Sequence, residues 1–156
     1  MASPFPFTSG QVLTAAELNE IGEFVDYTAS ASGGVGLTVG NGTWDFAGYV
    51  QVQNLVIYQV EFTLGSTSAI TGNIAIGLPI SSKSYSTSMM YGIGALIDTG
   101  TQTYPAYCRS INATNFVLHS YNASGTYATQ QNSSATVPFT WTTGDRFTAT
   151  VIYEAA

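Results

Sequence analysis

The chain has 156 residues, of which 45% are hydrophobic and only 8% are charged, and its formal net charge is −6. This length and hydrophobicity predict one domain with a substantial core and exclude a disordered chain. The basic residues, Lys83, Arg109 and Arg146, are too few to form a phosphate-binding surface. The composition therefore argues against nucleic acid and against an anionic membrane as partners.

Further features indicate where the chain is made. The N-terminus lacks the positive start and apolar core of a signal peptide, and no apolar run approaches a membrane span. Cys108 is the only cysteine, so no intrachain disulfide can form. We therefore expect synthesis in a cytoplasm. Four Asn-x-Ser/Thr triplets match the N-glycosylation motif, at Asn41, Asn112, Asn122 and Asn132. We interpret them as chance matches, because the chain is rich in Asn, Ser and Thr.

The first residues of the chain, 2–11, are predicted to form an extended arm. Pro4 and Pro6 alternate with Phe5 and Phe7, and proline and the residue before it both avoid the helical conformation. Exposed Phe-Pro pairs usually dock on another surface. We expect that surface to belong to a neighbouring subunit.

One α-helix is predicted over residues 14–26. Thr14 and Glu17 match a capping box, in which each side chain satisfies a free backbone N–H. Apolar side chains follow at helical spacing. Either the helix packs on its own domain, or it meets its copies around a symmetry axis. The arm and helix residues expected at an oligomer or attachment interface are Phe5, Phe7, Leu13, Leu18, Ile21, Phe24 and Val25.

Residues 30–36, SASGGVG, have the composition of a linker. They divide the chain into an attachment or oligomerisation region, 1–29, and a β-domain, 37–156. The clearest strand of the β-domain runs from Leu55 to Leu64, where apolar and polar residues alternate as in a half-buried strand. Its apolar face must lie over a partner sheet.

Shorter alternating stretches surround this strand. They are 37–39, 44–52, 74–78, 89–97, 104–111, 116–121, 137–141 and 147–153. About eight strands at this spacing, with no helical periodicity after the linker, predict an all-β fold, an antiparallel β-sandwich of jelly-roll type. We also expect a hairpin turn at Asn41–Gly42, a bulge near Gly48, and a bend or close backbone approach at Gly92 and Gly94.

The sequence contains no convincing catalytic or metal-binding pattern. His119 is the only histidine, and it is out of phase with Phe116 and Leu118, which predicts an outer-face strand residue rather than a catalytic base. One Cys and one His do not make a zinc site. Two pairs of carboxylates could be considered, Asp45 with Glu61 for a glycosidase and Asp98 with Asp145 for a calcium loop. Such pairs arise by chance in any β-sandwich, so we assign neither function to them. We expect no enzymatic activity, no cofactor and no metal.

A polar and aromatic contact surface is a more plausible site. The chain has 10 tyrosines and many Ser, Thr and Asn residues, which suit adaptable contacts with sugars or proteins. The ordinary preference of tyrosine for strands explains them equally well. The candidate surface residues are Tyr85, Tyr91, Tyr104, Tyr107, Tyr121 and Tyr127.

A family resemblance is carried by PFTSGQVLTAAELNEIGEF, VGNGTWDFAGYVQVQNLVIYQVEFTLGSTSAITGNIAIGLPI, YNASGTYAT and SATVPFTWTTGDRFTATVIYEAA. The first stretch resembles the start of small virion proteins of tailed bacteriophages, including phages of cyanobacteria and actinobacteria. The others resemble a β-sandwich module of phage tail, fibre and head-attached proteins. The resemblance covers most of the chain and is weakest over residues 81–111. It implies no catalytic residues.

This resemblance implies a non-enzymatic structural protein of the virion, often trimeric. The leading hypothesis is a homotrimer that decorates or cements the capsid and docks on the major capsid protein or another virion protein. The alternative is a short head or tail fibre whose β-sandwich binds a host-surface glycan. Both place the protein in the virion, after assembly in the cytoplasm of the host bacterium.

Overall fold

A computed structural model describes residues 9–10, 12, 14–15, 21–31, 36–83 and 90–156. In these ranges the strands are β1 (Val25–Asp26), β2 (Leu37–Thr38), β3 (Thr43–Val52), β4 (Leu55–Thr63), β5 (Ala69–Ile70), β6 (Ile74–Gly77), β7 (Met90–Asp98), β8 (Gln102–Asn112), β9 (Asn115–Asn122), β10 (Thr129–Asn132) and β11 (Arg146–Glu154). The large sheet has the order β1-β3-β4-β11-β7-β8-β9-β10, β6 also pairs with β9, and β2 pairs with β5.

All of these strand pairs are antiparallel. The predicted all-β fold with antiparallel sheets, a β-sandwich, is therefore confirmed, whereas its jelly-roll connectivity stays a prediction. The alternation of β4 is also confirmed. Val56, Tyr58, Val60 and Phe62 are all at most 2% exposed, because period-two side chains of one parity all enter the same core.

The sheet curls so that its two halves face each other across the core. The ring of Tyr58 on β4 lies 6.2 Å from that of Phe116 on β9, although β11, β7 and β8 separate these strands in the sheet. Close approach of backbones at β7 supports this curvature. A Cβ added to Gly92 or Gly94 would overlap the carbonyl oxygen of Thr150 or Thr148, which confirms the predicted close approach.

Residues 25–31 connect the two ends of the curled sheet. Tyr27 N donates to the Ala47 carbonyl of β3 over 2.9 Å, and Gly77 N of β6 donates to the Ser30 carbonyl over 3.1 Å. One short segment thus supplies backbone partners to β3 and β6, two edge strands that would otherwise present unpaired groups.

The helix predicted over 14–26 is wrong in its C-terminal part. Ile21 and Gly22 form a turn, with Gly22 at a φ of 78°, and Val25 and Asp26 form β1. The positive φ ends any helix there, and pairing with the edge of β3 outweighs local helix propensity. Residues 16–20 lie outside the described part of the chain, and the attachment role of residues 1–29 stays a prediction.

Three further local predictions are wrong: the hairpin at Asn41–Gly42, the position of the bulge in β3, and the strand over 137–141. The Asn41–Gly42 turn exists, but it does not make a hairpin, because β2 pairs with β5. The bulge of β3 lies at Asp45, between Trp44 and Phe46, and not near Gly48.

The stretch 137–141 is not a strand. Its alternation has another cause. The Phe139 ring packs between the rings of Trp141 and Tyr104 of β8, with centroid distances of 4.3 and 5.3 Å. A loop therefore buries side chains of one parity without a ladder of backbone hydrogen bonds. The strand that does form nearby, β10, is polar throughout and was missed because it has no apolar alternation.

Candidate functional site: an exposed apolar face

Large apolar side chains collect on the outward side of β3, β4, β11 and β7. Each of them is between 38% and 72% exposed, and we call this set the outer apolar face: Phe24, Phe46, Val52, Leu55, Ile93 and Ile152. Single exposed apolar residues are ordinary on a protein surface, but a cluster on one face marks an interaction surface.

The register of the sheet explains how these residues come together. Ile57 of β4 lies directly opposite both Val50 of β3 and Ile152 of β11. Ile93 of β7 lies opposite Thr150, two residues before Ile152. Directly opposed side chains in a sheet lie about 5 Å apart, so Val50, Ile57 and Ile152 form an apolar row across β3, β4 and β11. On β7, Ile93 is only a diagonal neighbour of Ile152.

Phe24 extends this face beyond the edge of β3. Its ring stacks on Phe46 with centroids 5.3 Å apart and lies against Gly48, where a Cβ would collide with it. Of the predicted interface residues, Phe24 is 40% exposed, Val25 is 43% exposed and Ile21 is half-buried. The other predicted interface residues, Phe5, Phe7, Leu13 and Leu18, lie outside the described residues.

The outer apolar face is bordered by two ion pairs that cancel. Arg146 contacts Glu61 over 3.1 Å, and Lys83 contacts Glu154 over 3.0 Å. The charges of Glu61 and Glu154 are therefore cancelled locally, whereas the exposed Asp26, opposite Gly48 in the register, leaves an acidic group at the β3 edge of the face. Exposed ion pairs contribute little to stability, so their main effect is on which surfaces can approach this face.

The predicted tyrosine surface is divided between different environments. Tyr104 is partly buried against the core, and Tyr107 is only 6% exposed. Tyr121 and Tyr127 are 45% and 81% exposed and are the rings available to a ligand. Tyr85 and the side chain of Tyr91 lie outside what the structure describes.

His119 lies on the side of β9 opposite to the core, as its phase predicted, but it is buried, with 1% exposure. It belongs to what we call the histidine cluster: His119, Tyr107, Arg109, Tyr121 and Gln130. The Tyr107 ring stacks on the imidazole with centroids 5.5 Å apart, and it lies tilted against the Tyr121 ring at a centroid distance of 5.1 Å. This stacking explains why an outward side chain is shielded from water.

Hydrogen bonds join the polar members of the histidine cluster. Arg109 Nη1 donates to Gln130 Oε1 over 3.2 Å, and Gln130 Nε2 lies 3.4 Å from His119 Nδ1. The imidazole Nε2 is buried without a hydrogen-bond partner. Burial, and then the nearby Arg109 charge, lower the pKa of His119 below its ordinary value, so the ring is neutral near neutral pH.

Three of the carboxylates singled out in the sequence make structural contacts. Asp45 accepts a hydrogen bond from the Thr63 hydroxyl, and Glu61 is paired with Arg146. Asp145 is 2% exposed, and its carboxylate accepts hydrogen bonds from the backbone N–H groups of Thr99 and Thr142 over 3.0 and 2.6 Å. These hydrogen bonds hold the loops before β8 and β11.

Cys108 is a buried free thiol, and burial raises its pKa to about 12. A thiol with such a pKa stays protonated and is a poor nucleophile. Among the residues that the structure describes, no group of at least three His, Cys, Asp or Glu side chains could hold a metal ion. Within the same ranges, no helix is long and apolar enough to cross a membrane.

The outer apolar face was missed in the sequence, apart from Phe24. A signal was present: Leu55, Ile57 and Ile152 occupy outward positions that a half-solvated strand normally gives to polar residues. Comparison with protein-family models, with curated proteins and with solved structures found no match for this chain.

Proposed function

We propose that this protein is a structural component of a bacteriophage virion, a homotrimer that decorates or cements the capsid and docks on the major capsid protein. The outer apolar face is the observation that carries this proposal, because it gives a small β-sandwich a surface suited to assembly. The sequence resemblance to virion proteins supplies the setting. A decoration protein needs no catalytic group, and its function is to bind repeatedly.

The energetics of assembly favour such a role. Burying apolar surface contributes about 25 cal/mol per Å², and the exposed side chains of the outer apolar face leave that contribution unused in the single chain. A protein that gains this stabilisation only on assembly holds neighbouring subunits together in the particle.

Copy number in the purified particle tests this proposal. Peptides of this protein are quantified by mass spectrometry against peptides of the major capsid protein from the same particles. We expect a ratio near that of the shell protein, or a simple fraction set by capsid symmetry. A trace ratio would contradict decoration and place the protein in a fibre or at a tail tip.

A second candidate is a short head or tail fibre that binds a host-surface glycan. The exposed rings of Tyr121 and Tyr127 favour it, together with the exposed Gln130 that lies opposite Tyr121 in the register. Aromatic rings beside amides are adaptable polar contacts. The test is labelling of host cells by the fluorescent protein. Loss of labelling in Tyr127→Ala supports this candidate, and unlabelled cells with the wild-type protein contradict it.

A further inference from the structure

We infer that the histidine cluster binds a saccharide that carries a carboxylate. Arg109 pairs with the carboxylate, and Tyr121 and Gln130 contact the sugar, whereas the buried His119 and Tyr107 form the floor of the site. This inference rests on the second candidate function, the fibre that binds a host-surface glycan, and it names the class of glycan.

The strands that carry the histidine cluster lie in a part of the chain without acidic residues. All nine Asp and Glu residues lie outside residues 99–144, the range that contains β8, β9 and β10, and Arg109 is the only Lys or Arg within it. Beyond β7, the β11 residue Glu154 is already paired with Lys83. An anionic ligand can therefore approach this half of the sheet, although the chain as a whole carries −6.

Arg109 differs from the other two basic residues in its partner. Arg146 and Lys83 each pair with a carboxylate. Within the part of the chain that the structure describes, Arg109 instead donates to the neutral amide of Gln130. A guanidinium presents its N–H donors as a planar fork that matches a carboxylate, and Arg109 is only half-buried. It is therefore the one basic side chain in the described ranges that is available to an anion.

The register holds this guanidinium in place. Arg109 lies on β8 opposite Val117 of β9. Gln130 lies on β10 opposite Tyr121, further along the same β9 strand. To bring Nη1 within 3.2 Å of Gln130 Oε1, the Arg109 side chain crosses the outward side of β9, where His119 lies. A side chain that is already held loses less freedom when a ligand binds.

Tyr121 supplies a surface for the sugar ring. Its own ring is 45% exposed, and the exposed Gln130 lies directly opposite it. The buried Tyr107 supports it from below, with the two ring centroids 5.1 Å apart. An aromatic ring offers an apolar surface to the sugar, and an amide offers both a donor and an acceptor to its hydroxyls. The cluster thus combines a ring, an amide and a cation.

A carboxylate suits this cluster better than a phosphate does. Phosphate sites usually combine several basic side chains or the backbone N–H groups of a helix N-terminus. Residues 99–144 contain one basic residue and no helix in their described structure. One guanidinium matches the single charge and the two oxygens of a carboxylate.

The polar atoms of the histidine cluster are not all satisfied within the described part of the chain. Arg109 Nε and His119 Nε2 are both buried without a hydrogen-bond partner there. Folded proteins retain few such atoms, because each one lowers stability. The cluster is therefore not arranged for stability alone, as is typical of functional sites.

The test is titration of the full-length protein with soluble sugars, followed by the shifts of its backbone amide NMR signals. The acidic probes are glucuronic acid, galacturonic acid and N-acetylneuraminic acid. Glucose and galactose are the neutral counterparts of the first two, from which they differ only in the oxidation of one carbon. Acetate and glucose 6-phosphate complete the set, as a carboxylate without a sugar and a sugar with a phosphate.

Three variants accompany the wild type. Arg109→Gln removes the charge, and Arg109→Lys keeps the charge but removes the fork. Arg146→Gln is the matched control, since it makes the same change at a basic residue paired with Glu61 of β4. Far-UV circular dichroism verifies that each variant is folded.

We expect saturable shifts around Tyr121 and Gln130 with at least one acidic sugar and much weaker shifts with the neutral sugars. The affinity should fall about tenfold or more in Arg109→Gln, fall less in Arg109→Lys, and stay unchanged in Arg146→Gln. It should also weaken as salt is added, because Arg109 is partly exposed.

Several results would overturn the inference. They are no saturable binding of any acidic sugar, equal binding of an acidic sugar and its neutral counterpart, and equal affinity of the wild type and a folded Arg109→Gln. Acetate that binds as tightly as the acidic sugars would exclude recognition of a saccharide, and tighter binding of glucose 6-phosphate would assign the site to phosphate. The comparisons between probes use the wild type alone, so they decide even if a variant does not fold.

Labelling of host cells separates this inference from the fibre function. If the protein binds acidic sugars through Arg109 but does not label host cells, the inference stands and the fibre function fails. If the wild type and Arg109→Gln label cells equally while Tyr127→Ala does not, the fibre function stands and the inference fails.

Discussion

The two outward sides of the same curled sheet differ in a way that alternation does not predict. Along β4 and β11, the outward side carries Leu55 and Ile152, which are apolar and about half exposed. Along β8 and β9, the outward side carries Tyr107 and His119, which are polar or amphipathic and almost completely buried. One side is apolar and open to a partner, and the other is polar and closed.

This difference separates two questions about a strand residue. Period two decides which side of the sheet a side chain leaves from, and His119 does leave from the side opposite to Phe116 and Leu118. What lies over that side decides whether the residue is exposed. Tyr107 and Tyr121 lie beside the imidazole of His119, whereas Ile93 has 72% of its surface exposed.

The largest effect that sharpens this comparison is expected for Tyr107→Ala. The change removes a ring that stacks on His119 and contacts Tyr121, and truncating a buried aromatic side chain costs about 3 kcal/mol or more in the free energy of unfolding. The same substitution at Tyr127, which is 81% exposed, should change it by less than about 0.5 kcal/mol. Urea unfolding measures both. Equal losses would mean that the histidine cluster is not a packed unit.

A smaller effect is expected from pH. Because the pKa of His119 is lower in the folded than in the unfolded chain, the unfolded state takes up the proton more readily. The stability that the buried, neutral His119 contributes is therefore complete above the unfolded pKa of about 6.5. Below that pH it is lost by at most about 1.4 kcal/mol per pH unit. Unfolding curves recorded from about pH 7.5 down to about pH 5 measure this loss.

Two variants provide controls for the pH dependence. His119→Asn removes the only histidine of the chain, so this part of the pH dependence should disappear. Arg109→Met removes the neighbouring charge that lowers the pKa of His119, so the loss of stability should become smaller. An unchanged pH dependence in His119→Asn would assign it to other groups.

The smallest effect is expected at the border of the outer apolar face. Lys83→Met breaks an exposed ion pair with Glu154, and such pairs contribute less than about 1 kcal/mol. The free energy of unfolding should therefore change by less than about 1 kcal/mol. Thermal unfolding measures this change. A larger loss would contradict the weak contribution expected of an exposed pair.

The sequence by itself determined the all-β fold, the burial of Tyr58 and Phe62, and the close backbone approach at Gly92. Each of these follows from local rules: the period of a strand, or the absence of a side chain where another backbone passes. For the same reason, the outward direction of His119 could be predicted.

Only the tertiary structure decided which outward residues are covered. It paired Val25 and Asp26 with β3, where local propensity favoured a helix, and it buried His119 beneath the Tyr107 ring. It also left Ile93 and Ile152 open on an ion-paired border. These outcomes depend on contacts between residues far apart in the chain, and a pattern with a period of a few residues carries no information about them.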